Sequence, residues 1–206
     1  MILSNTKDHR FIFILLSITA ILSFFYVDKI LAWYFHSIER DNIVILIMSE
    51  ITEFGKGIYG AGATIILWLY AYIYNDKKRL LESQYLAYVL VTGGIIVAFI
   101  KVLFGRARPE LLFSRSEFGI YFLKTKSAYW SFPSGHTLTS ISLMLSLSML
   151  YPRYRYIFIS CFGLISLSRI VLCKHYLSDV IIGGVLGAFI SLILFQSWYL
   201  KRKSYD

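Results

Sequence analysis

Long apolar runs separated by short polar segments dominate the pattern of this sequence. Six runs approach the length of about 20 residues that a membrane-spanning helix needs. They cover approximately residues 11–27, 57–74, 84–104, 137–151, 156–173 and 180–200. The pattern predicts an all-α protein, an integral-membrane six-helix bundle in which residues 1–206 form a single transmembrane domain. Small residues let helices approach closely, and we expect this of Gly93-Gly94 and Gly183-Gly184.

Residues 28–56, between the first two runs, combine aromatic side chains with a short apolar stretch. Trp33-Tyr34-Phe35 is followed by an apolar run from Ile43 to Met48 that is too short to span a membrane. One interpretation is a helix lying in the membrane interface. The other is an ordinary linker anchored there by its aromatic residues. Both interpretations remain open.

The composition supports a membrane protein, because 57% of the residues are hydrophobic and only 16% are charged. The net charge of +9 would raise the question of nucleic acid in a soluble protein. No nucleic-acid motif accompanies it, so we expect no nucleic-acid partner. Cys161 and Cys173 are too few for a zinc or redox site and are interpreted as packing residues. The first run lacks a small-residue cleavage site, which favours an uncleaved helix over a signal peptide.

Basic residues in alternate connections indicate how the chain is oriented. They are Lys7 and Arg10, then Lys77-Lys78-Arg79, then Arg153 and Arg155, then Lys201-Arg202-Lys203. Short cytoplasmic connections carry the excess of Lys and Arg. We therefore expect both termini in the cytoplasm. The remaining connections, which carry the candidate chemistry, then lie at the extracytoplasmic ends of the helices.

Two basic residues fall where apolar helices are predicted. Lys101 ends one run, and Arg169 lies inside another. A charge at that depth costs roughly 2.5 to 3.5 kcal/mol on insertion scales and usually faces a cavity or a partner. Each residue alone could instead extend towards the head groups, but two at the same face favour a shared anion. Arg108 lies two helical turns after Lys101 and extends this set, whereas Arg106 is off that face and is interpreted as a surface charge.

Pro133-Ser134-Gly135-His136 leads directly into an apolar helix. A helix start offers unpaired N–H groups and a positive dipole end to an anion, and Gly135 lets the backbone come close. Ser134 could also act only as a helix cap. His136 alone would more often be an interfacial histidine than a catalyst.

His175 and Asp179 are separated by one helical turn, so they can touch. Asp179 would then fix the tautomer of His175, as a nucleophile or a base requires. The alternative is an Asp that favours the helix dipole beside an unrelated His.

Together these residues resemble a known family. The signature is Lys101-x6-Arg108-Pro109, then Pro133-Ser134-Gly135-His136, then Ser168-Arg169-x5-His175-x3-Asp179. It is similar, without a gap, to the three-part signature of the type 2 phosphatidic acid phosphatase superfamily. Soluble vanadate-dependent haloperoxidases and membrane glucose-6-phosphatases share it, but the six apolar runs disfavour the former and the chain length the latter.

The resemblance implies a role for each matching residue. His175 would attack phosphorus to form a phosphohistidine, Asp179 would orient it, and His136 would protonate the leaving oxygen and then activate water. The phosphoryl oxygens would be held by Lys101, Arg108, Arg169 and the amides of Ser134 and Gly135. Such phosphatases work without a metal ion, so no cofactor and no metal are expected.

The resulting hypothesis is a phosphatase of the bacterial cytoplasmic (inner) membrane. Its substrate would be phosphatidylglycerol phosphate, undecaprenyl diphosphate, phosphatidic acid or a lipid A phosphate. The loop from Gly105 to Phe132 could hold a second phosphate through Arg115, Lys124 and Lys126, or simply anchor the protein in the interface. The alternatives are a non-catalytic lipid-binding or lipid-moving protein that kept the site, or a channel or transporter, which clustering of the charges at one face disfavours. The oligomeric state stays open.

Overall fold

The computed structural model describes the backbone of residues 6–203 and the side chains of residues 11–198. Within this part of the chain the fold is all-α. The helices are α1 (Thr6–Tyr26), α2 (Asp28–His36), α3 (Ile43–Glu53), α4 (Gly57–Ile73), α5 (Lys77–Phe104), α6 (Pro109–Arg115), α7 (Gly135–Leu150), α8 (Arg155–Val171) and α9 (Leu177–Lys203). Two 3-10 turns, Ser127–Tyr129 and Pro152–Tyr154, precede α7 and α8. Each predicted apolar run is therefore helical.

Local sequence signals explain where several helices begin and end. The side chain of Asn42 accepts a hydrogen bond from the N–H of Val44 at the start of α3, at 2.9 Å. Asp76 accepts one from Arg79 N–H at the start of α5, at 3.1 Å. Such caps satisfy N–H groups that have no partner within the helix. Gly105 ends α5 with a φ of 54°, a left-handed conformation that glycine adopts without strain.

Helix length and hydropathy single out fewer spans than the six predicted. Three stretches of the described chain are long and apolar enough to cross a membrane: Lys77–Phe104, Pro152–Val171 and Leu177–Trp198. A fourth is present if Phe11–Tyr26 and Asp28–His36, which meet at 63°, form one bent span. Helices α4 and α7 are shorter, with 17 and 16 residues. The six-span arrangement therefore stays a prediction.

Small residues bring α9 against α7, and α5 also packs on α7. A Cβ atom at Gly183 would lie 2.8 Å from the carbonyl oxygen of Ser134, and one at Gly93 would lie 2.9 Å from Leu138 Cδ2. The expected close approach is confirmed at these two glycines. Gly94 faces open space, and Gly184 has only an ordinary contact with Ile141, at 3.8 Å.

Hydroxyl groups join the same three helices in the interior. The Tyr85 hydroxyl of α5 lies 2.7 Å from Ser146 Oγ of α7. Ser146 Oγ in turn lies 2.8 Å from Ser191 Oγ of α9, and Ser142 Oγ donates to Gly187 O at 3.1 Å. In an apolar surrounding, such bonds satisfy buried polar groups and fix how the helices are rotated against one another.

The segment of residues 28–56 forms two packed helices, so the interpretation as an ordinary linker is wrong. Ile45 of α3 is buried against Val171 and Leu172 at the end of α8. Ala32 of α2 is buried with Leu112 and Tyr176. Apolar burial of this kind holds both helices against the ends of α8 and α9.

The loop of residues 105–132 folds back over the stretch that follows α5. Ala107 N–H donates to Gly119 O, and Arg108 N–H donates to Ala128 O at 2.9 Å. The basic side chains expected to hold a second phosphate, those of Arg115, Lys124 and Lys126, are exposed. The loop therefore fixes the backbone of residues 106–108. Its exposed Phe122 and Leu123 suit an interfacial anchor.

Candidate active site

The ends of α5, α6, α7, α8 and α9 bring the predicted residues together. Lys101 lies in the last turn of α5, and Arg108 is the residue before α6. Ser134 caps α7, and Gly135 and His136 open it. Arg169 lies in the last turn of α8, and Asp179 lies in the first turn of α9. His175 belongs to the connector between α8 and α9.

The three predicted phosphate-binding cations surround the start of α7. A Cβ atom at Gly135 would lie 3.4 Å from Lys101 Nζ, so the ammonium group lies directly over the first turn of the helix. Lys101 and Arg169 each lie near enough to Arg108 to repel it electrostatically. Like charges gathered in this way repel one another, and the nearby carboxylates of Asp179, Glu110 and Glu53 offset only part of that repulsion. An anion bound among them would remove that repulsion.

Both arginines predicted to bind phosphate retain an unused hydrogen-bond donor, as does the buried Arg106. The Nε atoms of Arg108 and Arg169 are buried and have no partner among the described residues. Arg169 Nη1 donates to Thr52 Oγ1 at 2.5 Å, which holds its side chain against the end of α3. Burial lowers the pKa of the Arg108 guanidinium below its ordinary value. Buried donors without partners are costly, and phosphoryl oxygens would accept from both.

His175 is held in one tautomer by a backbone carbonyl. Its Nδ1 lies 2.7 Å from the carbonyl oxygen of Ser131. Because a carbonyl only accepts, Nδ1 must donate its hydrogen, and the lone pair is left on Nε2. Burial lowers the pKa of this imidazole to about 4, while the Asp179 carboxylate partly offsets the effect. At neutral pH the side chain is therefore a neutral imidazole with Nε2 free to react.

Asp179 lies close enough to His175 to act on it electrostatically, but the hydrogen bonds of its carboxylate go to other groups. Its Oδ2 is 3.8 Å from His175 Nδ1, too long for a hydrogen bond. The same oxygen accepts from Ser131 Oγ at 2.6 Å and from the N–H of Tyr176 at 2.9 Å. The carboxylate thus positions Ser131, and the carbonyl of Ser131 selects the tautomer.

The Ser134 amide, predicted to bind phosphate, already has a partner. Its N–H donates to the backbone oxygen of Asp179 at 3.1 Å, and the residue is fully buried. The Ser134 hydroxyl accepts from Thr137 Oγ1 at 3.0 Å, and its contact with Thr137 N–H caps α7. Ser134 therefore ties α7 to α9. The N–H groups available to an anion at this helix start are those of Gly135 and His136.

His136 lies against a turn that the sequence did not indicate. A Cβ atom at Gly55, between α3 and α4, would lie 3.1 Å from His136 Cδ2 and 2.5 Å from Ile165 Cγ2. Only glycine fits there without moving the ring or α8. Arg169, His175 and Lys101 all act electrostatically on His136. The turn after α3 therefore forms one wall of the site.

Arg106 is fully buried, so its interpretation as a surface charge is wrong. Its Nη2 lies 2.7 Å from Asp28 Oδ2. Its Nη1 donates to Ser178 Oγ at 2.7 Å and also pairs with Asp179 Oδ1. Its guanidinium carbon lies 4.4 Å from the centre of the Tyr176 ring. Burial opposes the charge, but the carboxylates of Asp179 and Asp28 raise the pKa of Arg106 above its ordinary value.

A chain of contacts therefore connects α2 to the reactive imidazole. Asp28 forms an ion pair with Arg106, Arg106 forms an ion pair with Asp179, and Asp179 accepts a hydrogen bond from Ser131 Oγ. The sequence carries a weak signal for the first of these residues, because Asp28 is a carboxylate placed directly after an apolar run. No sequence signal marks the Ser131 carbonyl, since every residue has one.

A cavity of about 800 Å³, lined by both charged and apolar side chains, opens beside Arg108. It shares Arg108 and Thr52 with the cluster described above. Its walls come from the α2–α3 segment, from α6 and from the connector between α8 and α9. The other side chains that line it include His36, Arg40, Glu53, Glu110, Phe113, Ser114 and Lys174. The cluster thus has space beside it for a substrate much larger than phosphate.

No group of three or more His, Cys, Asp or Glu side chains suited to a metal ion occurs within residues 11–198, the part with described side chains.

Two curated proteins are similar to part of the chain. One is a lipid A 1-phosphatase of Rhizobium johnstonii, 37% identical over 111 residues, which cover 54% of this chain and 46% of the relative. The other is a lipid A 1-phosphatase of Rhizobium etli, 31% identical over 133 residues, which cover 65% of this chain and 52% of the relative. The matched region therefore spans about half the length of each relative.

A solved structure shares the fold. It is that of a transmembrane PAP2 type phosphatidylglycerolphosphate phosphatase from Bacillus subtilis, with a TM-score of 0.61 and 18% identity. The match covers 92% of this chain and 93% of that one. With its apolar helices and this fold, the protein is an integral membrane protein. The sequence model of the PAP2 superfamily matches residues 83–203, more than half of the chain, and includes every signature residue from Lys101 to Asp179. The chain belongs to the PAP2 superfamily.

Proposed function

We propose that this protein is a metal-independent phosphatase that removes a phosphate from a membrane lipid. The observation that carries the proposal is the orientation of His175. Its Nδ1 is bound to the Ser131 carbonyl at 2.7 Å, which leaves Nε2 as a nucleophile beside Arg108 and Arg169, and Lys101 lies near both arginines. Phosphoryl transfer depends mainly on positioning and on stabilisation of charge, and this arrangement supports both.

The proposed reaction has two steps. His175 Nε2 attacks phosphorus and forms the N–P bond while the P–O bond to the lipid breaks, and His136 gives its proton to the leaving oxygen. His136 then takes a proton from water, the resulting hydroxide attacks phosphorus, and the N–P bond breaks to release inorganic phosphate. His175 returns to its neutral form. Asp179 holds Ser131, so that the imidazole keeps its tautomer through the cycle.

The three cations and the start of α7 are proposed to carry the charge of the phosphoryl oxygens. Arg108 and Arg169 supply their unpartnered Nε–H groups, and Lys101 supplies a point charge over Gly135. The N–H groups of Gly135 and His136 complete the set at the positive end of the helix. Such preorganised donors lower the barrier because they need no rearrangement when charge develops.

Among the candidate substrates, the relatives favour a lipid A phosphate. Phosphatidylglycerol phosphate, undecaprenyl diphosphate and phosphatidic acid remain candidates. The proposed location is a bacterial cytoplasmic (inner) membrane, with both termini in the cytoplasm and the site at the extracytoplasmic face. A non-catalytic lipid-binding or lipid-moving protein is the alternative. The complete set of reactive side chains favours the enzyme.

Phosphate release by the purified protein tests this proposal. In detergent with a metal chelator, the wild type should release phosphate from at least one of the four lipids. His175→Ala should lose at least about 10³-fold in kcat, because nucleophile removal in comparable covalent sites costs that much or more. Rapid acid-free quenching of the wild type should trap a base-stable, acid-labile phosphate on His175. Hydrolysis of none of the lipids, or an active and folded His175→Ala variant, would show that the assignment is wrong.

A further inference from the structure

The turn that follows α3 separates two sides of the site. Gly55 lies against His136, the residue proposed to protonate the leaving oxygen of the lipid. Thr52 and Glu53, which precede Gly55 by three and two residues, line the cavity of about 800 Å³ beside Arg108. His136 is not among the residues that line this cavity. The leaving lipid and the cavity therefore lie on different sides of the turn.

The cavity meets the cation cluster at two points. Arg108 lines it directly, and Thr52 in its wall accepts a hydrogen bond from Arg169 Nη1 at 2.5 Å. Other lining residues, such as Arg40 and Lys174, are exposed, so the cavity also reaches the surface. Inorganic phosphate left at the cations by the second reaction step would therefore have a polar way to water. A way through lipid would place a charge in an apolar surrounding, which is costly.

Two basic side chains extend the positive charge of the cluster into the cavity. Arg40 and Lys174 both line it, and both act electrostatically on the buried Cys173, so they lie near one another. Neither belongs to an ion pair within the described side chains. A cleft with unpaired cations attracts an anion, so this pair suits a phosphate that has left the cluster.

Two carboxylates limit how tightly the cavity can hold an anion. Glu53 is bound to Lys56 at 2.5 Å, so a cation already accompanies its charge. Glu110 lies near enough to Arg108 to act on it electrostatically. A path for an ion needs sites that attract the ion but also release it again. The basic pair supplies the attraction, and the carboxylates weaken it, as release requires.

We propose that this cavity is the exit route for inorganic phosphate, and that Arg40 and Lys174 form a second phosphate site on the way to water. The proposal rests on the phosphatase function proposed above and adds the route of its product. After the N–P bond breaks, the phosphate moves from Arg108 to Arg40 and Lys174 and then into water. The lipid product leaves separately, on the side of His136. This step involves no covalent change.

The test measures lipid product and free phosphate separately after rapid mixing. The purified full chain in detergent is mixed with a saturating amount of whichever of the four lipids it hydrolyses fastest. Quenched samples give the lipid product of the first turnover, and a fluorescent phosphate sensor gives free phosphate. Arg40→Glu and Lys174→Glu should leave the first rate unchanged and slow the second by at least about fivefold. This factor corresponds to the attraction of two unit charges about 4 Å apart in water.

A third variant tests the route without a change of charge. Ser114 is an exposed residue of α6 in the cavity lining, and the indole of Ser114→Trp would occupy part of the cavity. This variant should also slow only the release of phosphate. Arg115→Glu is the matched control, because Arg115 is exposed on α6 outside the lining. Both of its rates should equal those of the wild type, and circular dichroism checks that each variant is folded.

The outcomes separate the two proposals. Wild-type release of phosphate by all three cavity variants would overturn the exit route and leave the phosphatase intact. Equal slowing of lipid product and phosphate, or the same slow release in Arg115→Glu, would also overturn the exit route alone. A wild type that hydrolyses none of the four lipids would overturn the phosphatase and the exit route with it.

Discussion

At the scale of single residues, Arg106 helps to hold the predicted catalytic residues in position, a role that the sequence did not reveal. It is fully buried and joins Asp28, Ser178 and Asp179. A planar guanidinium can hold two carboxylates at once, whereas an ammonium group is a single point charge. Its contact with Asp179 places it two hydrogen bonds away from the Ser131 carbonyl that fixes His175. Arg106 is therefore a positioning residue for the nucleophile.

Replacing Arg106 by Lys should lower kcat with little change in KM. The charge is kept, so the protein should fold, but one of the two carboxylates loses its partner and Ser131 is less firmly held. We expect a loss of about 10- to 100-fold in kcat, because misplacement of a reactive group by about 1 Å has that effect. Arg106→Leu leaves both carboxylates unpaired and should destabilise the protein by about 3 to 5 kcal/mol.

Arg79→Lys provides the matched control for this prediction, since Arg79 pairs with Asp76 at 3.0 Å in an exposed position. Its kinetics should equal those of the wild type. A folded Arg106→Lys variant with unchanged kcat would show that Arg106 serves only stability.

The buried imidazole of His175 predicts an unusual pH profile. Its pKa is lowered to about 4 by burial, so the folded protein keeps Nε2 unprotonated well below the ordinary value of about 6.5. On the acidic side of the profile, activity should be lost only as the pH falls through about 4. Loss of activity as the pH rises reports the proton on His136 instead. An unshifted histidine would already be about three-quarters protonated at pH 6. The measurement is kcat/KM from pH 4.5 to 7.5, divided by the dianion fraction of the lipid phosphate from ³¹P NMR.

The same shift links pH to stability. Below pH 6.5 the unfolded chain binds a proton at this position, while the folded protein does not until about pH 4. Stability therefore falls as the pH drops through this window. Circular dichroism at each pH separates unfolding from protonation, and a kinetic midpoint near 6.5 in folded protein would contradict the prediction.

Residue-scale prediction from the sequence named residues that lie close together, but the helical spacing behind it is not the reason that they meet. Lys101 and Arg108 were paired as two helical turns apart, and His175 and Asp179 as one turn apart. In the structure α5 ends at Phe104 and α9 begins at Leu177, so neither pair lies within one helix. Such prediction failed where the partner is distant or featureless. Asp28 and Arg106 are 78 residues apart. The hydrogen bond from His175 Nδ1 goes to the backbone carbonyl of Ser131, a group that the identity of the side chain does not reveal.

At the scale of the elements, the turn between α3 and α4 does more than connect two helices. Thr52 holds Arg169, and Gly55 lies against His136. Periodicity predicted an apolar stretch in α3 but not where its end would lie, because that depends on packing of Ile45 against α8. The sequence therefore offered a helix here as one of two interpretations, and it gave no sign of the contact.

Gly55→Ala should impair catalysis without unfolding the protein. The added methyl would lie 2.5 Å from Ile165 Cγ2 and 3.1 Å from His136 Cδ2, so the turn or the imidazole must shift. We expect kcat to fall by about 10- to 100-fold. Gly62→Ala is the matched control, since a Cβ atom there meets nothing within 4 Å. Equal kcat for the two variants would argue against a role for the turn.

At the scale of the whole molecule, apolar runs predicted the helices, because a chain in lipid must satisfy its backbone groups internally. They did not predict the bend of 63° between Phe11–Tyr26 and Asp28–His36. The bend follows from contacts of Ala32 and Asp28 with segments far along the chain. The predicted side of the membrane on which the site lies rests on four groups of basic residues. Those at the two ends, Lys7 with Arg10 and Lys201-Arg202-Lys203, have side chains outside the described part, whereas Lys77-Lys78-Arg79 and Arg153 with Arg155 are exposed.

Orientation is tested by a reporter joined after Asp206. A reporter that is active only in the cytoplasm should give a signal, and one active only outside should not. A second pair of fusions within residues 119–126 should give the opposite result. An extracytoplasmic signal at Asp206 would reverse the predicted topology and place the site inside the cell.

The carboxylate of Asp28 also sets an order of assembly. Its partners are Arg106 and Ser178, which lie 78 and 150 residues further along the chain. During synthesis, Asp28 can therefore meet Arg106 once about half of the chain has emerged, but it can meet Ser178 only when almost the whole chain has. The last helix then supplies Ser178 and Asp179 together. A shortened chain that ends before α9 would lack the hydrogen bonds from Ser178 to Asp28 and the ion pair of Asp179 with Arg106. The packing of α2 therefore depends on the presence of α9.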